Sequence, residues 1–301
     1  MASGSAKVIL TAFLANLGLG IAKFFGAGIA GSASLFAEGI HSLVDCTNQL
    51  LILFGRRVAK RPPTKTHPLG YGRENFFWSL VVAVLLFTLG GLFALYEGFH
   101  KLANPTPLNH PWVAILILIL GLFLEGYALR TCLAEVRRIN PHKSLSTWFR
   151  KTASVDLLVI FTEDMAALTG LVCAIICLVI AWFTGDPKWD AFGSIVIGTL
   201  LVIVPIFLAA EVKSLLIGES PSIDYRAPIE LIVKETFPDG SILNLIALQT
   251  GSDEVMLAYK LDPKSDCSAV QLIEGINEIE RKVRAKYPEV RWQFVEPDNA
   301  D

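Results

Sequence analysis

Charged residues are scarce in this chain of 301 residues: Asp, Glu, Lys and Arg make up 18%, whereas hydrophobic residues make up 53%. Soluble domains carry about 25% charged residues, so this composition and a mean hydropathy of +0.52 exclude an ordinary soluble protein. Cysteine is also sparse. The five cysteines are scattered without a CxxC pair, which excludes a disulfide framework and a zinc ribbon. The sequence therefore predicts a membrane protein.

Histidine is absent from residues 218–301, because all five histidines lie at positions 41, 67, 100, 110 and 142. An imidazole-based zinc site is therefore excluded from this part of the chain. The same part carries 9 basic and 16 acidic residues, whereas residues 1–217 carry 17 basic and 12 acidic ones. A net charge of −2 gives no support for a nucleic-acid partner.

Six apolar runs are long enough to cross a bilayer, whose hydrocarbon core of roughly 30 Å needs about 20 helical residues. They predict a bundle of six transmembrane helices within residues 1–217. The runs lie at 8–29, 33–54, 76–99, 112–134, 154–184 and 189–211.

Basic residues concentrate in the loops after the second and the fourth runs. By the positive-inside rule both loops face the cytoplasm, and an even number of spans places both termini there too. Because only Lys7 precedes the first run, no organellar targeting segment is evident, and we expect a bacterial inner membrane. The loop residues are Arg56, Arg57, Lys60, Arg61, Lys65 and Arg73, then Arg137, Arg138, Lys143, Arg150 and Lys151.

Residues 218–301 have the composition of a small soluble domain. The pattern predicts a helix over 225–236, strands over 242–249 and 255–261, a second helix capped by Ser268 and Gln271, and a strand over 291–295. This αββαβ order predicts a cytoplasmic α+β layer. Its acidic residues indicate solvated surface charge, with a weak metal site as the alternative: Asp253, Glu254, Asp262, Asp266 and Cys267.

Polar residues form a stripe on the second run, where each buried charge is costly and needs a reason. Glu38, His41, Asp45 and Asn48 lie at i, i+3, i+7 and i+10, on one helix face. His41 and Asp45 are one turn apart, so an imidazole nitrogen and a carboxylate oxygen can converge on one cation.

The fifth run supplies the matching acids Asp156, Glu163 and Asp164. We expect Asp164 to complete the metal site with the second run, and Asp156 to be an accessory residue or part of an aqueous mouth. Glu38 is a further accessory candidate. The alternative is that the polar residues of both runs pair with each other or with Lys23 to hold the bundle together. Glu97, Glu125 and Asp190 indicate helix packing or helix ends.

Residues 31–45, GSASLFAEGIHSLVD, resemble the second-span motif of the cation diffusion facilitator family. The segment HPLGYGR at 67–73, the segment YEG at 96–98 and the αββαβ tail resemble the same family, so the likeness covers essentially the whole chain. Asn48 and the adjacent pair Glu163 and Asp164 are most similar to the branch of the mitochondrial zinc transporter 9.

The resemblance implies a homodimeric exporter of divalent cations, usually zinc, driven by proton antiport and without a cofactor. It also implies a ferredoxin-like or metallochaperone-like tail that dimerises, and metal ligands at His41, Asp45 and Asp164. Many members have His or Asp four residues before the last acid, where this chain has Ile160. Glu163, Asn48 or water then completes the coordination.

Other interpretations stay open at this stage. Carboxylates with amide or water ligands also suit manganese and iron(II), so export of these metals is the main alternative to zinc. His67 is either part of a metal-access site or an ordinary loop histidine. A transport-inactive membrane scaffold belongs to a different class, and an intramembrane metalloenzyme is disfavoured because no HExxH motif occurs.

Overall fold

The computed structural model describes residues 2–139, 145, 148, 149, 152, 155–264 and 267–300, and for 2–12, 15, 139 and 156 it describes the backbone alone. The described residues form two compact units. The first contains those of Met1–Gly55, Phe77–Lys143 and Asp156–Val212, and the second contains those of Arg56–Phe76, Ser144–Val155 and Lys213–Asp301.

Each of the six predicted apolar runs lies in a helical stretch. These stretches are α1 (Ala2–Ala30), α2 (Ala33–Ala59), α3 (Glu74–Leu85) continuing through a π-helical segment (Leu86–Leu92) into α4 (Phe93–Ala103), α5 (Pro111–Ile139), α6 (Val155–Thr184) and α7 (Lys188–Ile217).

Within the described part of the chain, four helices are long and apolar enough to cross a membrane: Glu74–Ala103, Pro111–Arg138, Leu157–Thr184 and Lys188–Ile217. The apolar part of α1, Asn16–Ala30, is shorter. In α2 the polar stripe interrupts the apolar surface. Length and composition therefore support four of the six expected spans.

The stretch from α3 to α4 packs against α7 with their backbones in close contact. A Cβ atom on Gly91 would lie 2.7 Å from the carbonyl oxygen of Leu201, and one on Gly198 would lie 2.6 Å from the amide nitrogen of Leu95. Real Cβ contacts are not this short, so only glycine permits this approach. Small residues at such positions let membrane helices pack tightly.

A buried ion pair joins the first turn of α2 to α4 and α7. Asp190 accepts hydrogen bonds from the Ser32 hydroxyl and the Ala33 amide, both at 2.7 Å, and pairs with Lys101 at 2.9 Å. Lys101 also donates to the carbonyl of Gly31, which ends the α1–α2 turn with a φ of +63°. Asp190 thus stabilises a helix amino terminus, where negative charge is favourable.

The C-terminal part of the second unit has the predicted αββαβ order. It contains α8 (Arg226–Thr236), β1 (Ser241–Gly251), β2 (Glu254–Asp262), α9 (Ala269–Lys286) and β3 (Val290–Pro297). The sheet order is β1-β2-β3, with β1 antiparallel and β3 parallel to β2. The capping box of Ser268 and Gln271 is confirmed. One sheet face packs on both helices through residues such as Leu257, Ile229 and Ile279.

The acidic residues of this domain behave largely as surface charges. Glu254 forms an ion pair with Arg291, and Asp262 accepts a hydrogen bond from the Lys264 amide at 2.9 Å. Cys267 packs partly buried against the domain core, Asp253 is exposed, and Asp266 lies outside the described residues. These contacts favour the surface-charge interpretation over a metal site.

We predict that Gly198→Ala destabilises the full chain, because the new methyl group meets backbone atoms that cannot move aside. Overpacking of this kind costs about 1–3 kcal/mol. Thermal unfolding of the detergent-solubilised protein measures the effect. Gly28→Ala is the matched control, since nothing lies within 4 Å of a Cβ atom at that helical glycine. Equal melting temperatures for the two variants would contradict the packing argument.

Candidate metal centre

The stripe on α2 brings His41 and Asp45 together inside the first unit. The Nε2 atom of His41 lies 3.5 Å from Oδ2 of Asp45, and the two side chains are 1% and 10% exposed. Helical spacing explains this contact, because residues at positions i and i+4 lie one above the other on a helix face. An imidazole and a carboxylate in this arrangement supply two of the ligands that a dication such as zinc requires.

Several polar atoms of this stripe have no hydrogen-bond partner among the described residues. They are Oε1 of Glu38, both ring nitrogens of His41, Oδ1 of Asp45 and Oδ1 of Asn48. Buried polar atoms are almost always hydrogen-bonded, so unpaired lone pairs in one place need an explanation. Donor atoms reserved for a cation are one such explanation.

A hydrogen bond connects α2 to α6. The Nδ2 atom of Asn48 donates to Oε1 of Glu163 at 2.8 Å, and both side chains are buried. This contact brings the polar face of α2 next to the acidic part of α6. It also engages Glu163 with a protein donor, whereas the sequence leaves this residue open as a direct metal ligand.

Asp164 lies beside the same cluster and is only partly buried. Its Oδ2 atom has no partner among the described residues, and the charges that act on its carboxylate belong to Glu125 and Asp45. Within the described chain, however, no three His, Cys, Asp or Glu side chains are close enough together to hold a metal ion. The structure thus brings together two pairs, His41 with Asp45 and Asn48 with Glu163. Asp164 is near them but does not complete a three-ligand site.

Glu38 is engaged by a lysine from α1. The Nζ atom of Lys23 lies 2.9 Å from Oε2 of Glu38 and donates to the Ser42 hydroxyl at 2.8 Å, and all three residues are buried. This is the pairing with Lys23 that the sequence offers as the alternative to a metal role for Glu38.

The remaining accessory candidates lie elsewhere. Asp156 occupies the first turn of α6, and its side chain is outside the described residues. His67 is exposed in the α2–α3 loop, where its ring packs on Tyr71 with centroids 4.5 Å apart and its Nδ1 atom lies 3.1 Å from the Thr66 hydroxyl. These contacts are those of an ordinary loop histidine.

Glu125 on α5 is a buried acid for which the sequence predicts only a role in helix packing or at a helix end. Its side chain is 4% exposed, and its charge acts on His41 as well as Asp164. A single acid in an otherwise apolar run is compatible with packing alone. One feature of the sequence could have indicated a further role: α5 has no basic residue within one turn of Glu125 that could pair with it.

Comparison with known proteins identifies the family of this chain. The family described as the cation efflux transmembrane domain matches residues 9–217. The chain belongs to the cation diffusion facilitator family. Its members are transporters rather than enzymes, and the relatives below place the chain near the SLC30A9 branch.

Three relatives illustrate how similar this chain is to known proteins and how much of each chain is matched. The chain is 32% identical over 262 residues to the "Proton-coupled zinc antiporter SLC30A9, mitochondrial" of Xenopus laevis, covering 86% of this chain and 47% of that protein. The human protein of the same name is 35% identical over 220 residues, covering 72% and 39%. The "Magnetosome protein MamB" of Magnetospira sp. (strain QH-2) is 25% identical over 287 residues, covering 95% and 92%. The chain thus spans less than half the length of these two SLC30A9 relatives.

The expected bacterial inner membrane with cytoplasmic termini is wrong. The SLC30A9 relatives carry mitochondrial names, which points away from a bacterial plasma membrane. The physical reason is that helix length and hydropathy report the thickness of the hydrocarbon core, which differs by only a few ångströms between membranes. Loop charge reports orientation and does not identify the membrane.

We predict that Asn48→Leu destabilises the full chain, because the Glu163 carboxylate keeps its burial and loses its donor. Leaving a buried acceptor unpaired costs about 1–3 kcal/mol, and more for a charged group. Thermal unfolding in detergent measures this change. Thr47→Val is the control, because the exposed hydroxyl of Thr47 bonds only to the Leu43 carbonyl of its own helix. A melting temperature equal to that of the control would show that the α2–α6 contact is dispensable.

Proposed function

We propose that this protein exports zinc across its membrane in exchange for protons, through a site between α2 and α6. The buried pair of His41 and Asp45, with its unpaired nitrogen and oxygen atoms, is the observation that supports this function most directly. The relatives named as zinc antiporters support the choice of cargo.

The proposed ligands are His41, Asp45 and Asp164, with Glu163 or Asn48 as the fourth. A rotation of the Asp164 side chain or a small shift of α6 toward α2 brings the third ligand in. Ile160, one turn before Asp164, has no donor atom, so the fourth position falls to the Asn48–Glu163 pair or to water.

Zinc suits this set because it takes imidazole and carboxylate ligands in a tetrahedral arrangement. Manganese and iron(II) are the alternative cargo, since three carboxylates and an amide oxygen also suit these metals. Ligand type alone separates these metals weakly, and the geometry of the loaded site decides between them.

Proton exchange follows from competition for the same lone pairs. A metal ion binds the neutral imidazole and the ionised carboxylates, so loading releases protons from His41, Asp45 and Asp164. Protons that bind these groups from the other side of the membrane displace the metal. A site that opens alternately to each side then couples the two fluxes.

We further propose six membrane spans within residues 1–217 and a soluble domain over 218–301. The four qualifying helices support this arrangement directly. For α1 and α2 the support is their length, 29 and 27 residues, and their packing within the same unit. A polar stripe is tolerated in a membrane when it faces the bundle interior, and Glu38, His41 and Asn48 are buried there.

We predict that His41→Ala and Asp45→Ala each abolish zinc-dependent proton movement in proteoliposomes under an imposed pH gradient. Each change removes one ligand of the proposed site. Glu135→Gln is the control that keeps transport, because Glu135 is an exposed acid paired with Arg138. Zinc, manganese, iron(II), cobalt and cadmium are compared in the same assay. Unchanged transport in the His41 variant would remove this site from the mechanism, and unchanged cellular function after Asp164→Ala would favour the scaffold alternative.

We also propose that the soluble domain forms a homodimer through the open face of its sheet. This face lies opposite the helices and carries two rows of mostly apolar side chains. Ile246 and Phe294, at the two edges of one row, are 59% and 54% exposed, and exposed apolar surface of this kind is typical of an interface. The rows are Ile246, Ala258 and Phe294, then Leu248, Met256 and Trp292.

We predict that Phe294→Asp lowers the dimer fraction of the full chain in detergent by roughly tenfold or more, because it buries a charge at the contact. Cross-linking across a dilution series measures the dimer fraction. Leu231→Asp is the control, since Leu231 is 63% exposed on α8, away from the sheet face. A dimer that persists equally in both variants would place the contact on another surface.

A further inference from the structure

The ion pair of Lys23 and Glu38 lies directly beside the candidate ligands. Glu38 precedes His41 by three residues and Ser42 follows it, so the two acceptors of Lys23 flank His41 along α2. Lys23 and Glu38 are both 0% exposed. A lysine ammonium held at this depth without access to solvent is rare and needs a reason.

Glycines on two further helices enclose this pair. A Cβ atom on Gly121 of α5 would lie 3.6 Å from Cε of Lys23, and one on Gly170 of α6 would lie 3.1 Å from Oε1 of Glu38. Helices α1, α2, α5 and α6 therefore surround the pair.

The charge of Lys23 acts on the candidate ligands themselves. The described charges that act on His41 are those of Glu38, Lys23 and Glu125. Those that act on Asp45 are Lys23 and Glu38. In a region of low dielectric constant such charges act strongly over several ångströms.

The pair contributes no net charge next to the candidate ligands. Without Lys23, Glu38 would add an unpaired buried negative charge to those of Asp45 and Glu125, on which its charge acts. An extra negative charge would hold a dication more tightly, and a transporter must also release its cargo. Tight binding that is uniform through the cycle does not raise turnover.

Resting on the function proposed above, we propose that Lys23 sets the charge of the metal site: it neutralises Glu38, keeps this carboxylate out of the ligand set, and so limits the affinity for zinc to a range that permits release. Within the described chain, Lys23 donates hydrogen bonds to Glu38 and Ser42 and to none of the candidate ligands, so it is a positioning residue that acts through its charge and through Glu38.

Variants of the full chain of 301 residues that change the charge at positions 23 and 38 test this role. Equilibrium zinc binding in detergent gives the Kd, and zinc uptake into proteoliposomes gives the KM and the maximal rate. Lys23→Met leaves one negative charge and is expected to lower the Kd by roughly tenfold or more, from the Coulomb energy of a buried unit charge on a dication. Its KM falls with the Kd, and its maximal rate falls because release is slower.

The direction of the change in the zinc Kd is also predicted for the other two variants. Glu38→Gln leaves one positive charge and is expected to raise the Kd by a similar factor. Lys23→Met with Glu38→Gln restores neutrality, so its Kd returns close to that of the unmodified protein. Loss of packing alone lowers the maximal rate in all three variants and does not shift the Kd in opposite directions.

Lys101→Met is the matched control. Lys101 also forms a buried ion pair of 2.9 Å, with Asp190, and it is not among the described charges that act on His41 or Asp45. It is expected to reduce the folded yield without changing the Kd of the folded protein. An equal shift in the Kd for Lys101→Met would show that any lost ion pair produces the effect and would overturn the proposal.

The remaining outcomes separate this role from the proposed function. If His41→Ala abolishes zinc binding while Lys23→Met leaves the Kd unchanged or raises it, the role of Lys23 is wrong and the site stands. If His41→Ala leaves zinc binding unchanged, the site itself is wrong and the proposal fails with it. Should Lys23→Met fail to fold, Glu38→Gln and the double variant decide, and an unchanged Kd in Glu38→Gln overturns the proposal.

Discussion

The structure of the helical unit depends on one constraint: a charged side chain surrounded by apolar helices needs a partner. Most of the buried charges meet this requirement with protein groups. Glu38 pairs with Lys23, Asp190 pairs with Lys101, and Glu163 accepts from Asn48. Each of these contacts joins different helices, so the polar groups hold the bundle together at defined points.

The exceptions to this rule point to the candidate metal centre. His41, Asp45 and Asp164 keep buried atoms without partners within the described chain. Among the described residues of this unit, Glu38 and Gln49 on the same helix also keep an unpaired buried oxygen. Unpaired acceptors concentrated along α2 and at Asp164 are the arrangement expected of a site that binds a cation and releases it. A fully satisfied network would be more stable and would have no lone pairs to offer.

The helices of the first unit and the helices and strands of the tail could be predicted from the sequence because their signals are local. The polar residues of α2 repeat with the helical period, which places His41 and Asp45 on one face without any knowledge of the neighbouring helices. In the tail, the capping box and the alternation in β2 arise within a few residues of each other. The predicted strands 242–249 and 291–295 differ from β1 and β3 only by one or two residues at their ends.

Other features escape the sequence because they depend on which helices are neighbours. Nothing local indicates that Lys23 reaches Glu38 and not another acid, or that Asn48 engages Glu163. The proximity of Glu125 to the candidate ligands is hidden for the same reason, since the side chains on which its charge acts, His41 and Asp164, lie on α2 and α6. The type of membrane is a further case, because apolar helices adapt to bilayers of similar thickness.

By itself, the sequence determined that this protein has apolar helices, a polar stripe with a histidine and an aspartate one turn apart, and a C-terminal part with the order αββαβ. These properties follow from the helical and strand periods, which relate residues close in the chain. Only the tertiary structure decided which buried charges neutralise each other and which remain available to a metal ion. Charge pairing acts through space, and residues 15 to 115 positions apart meet only once the helices have packed.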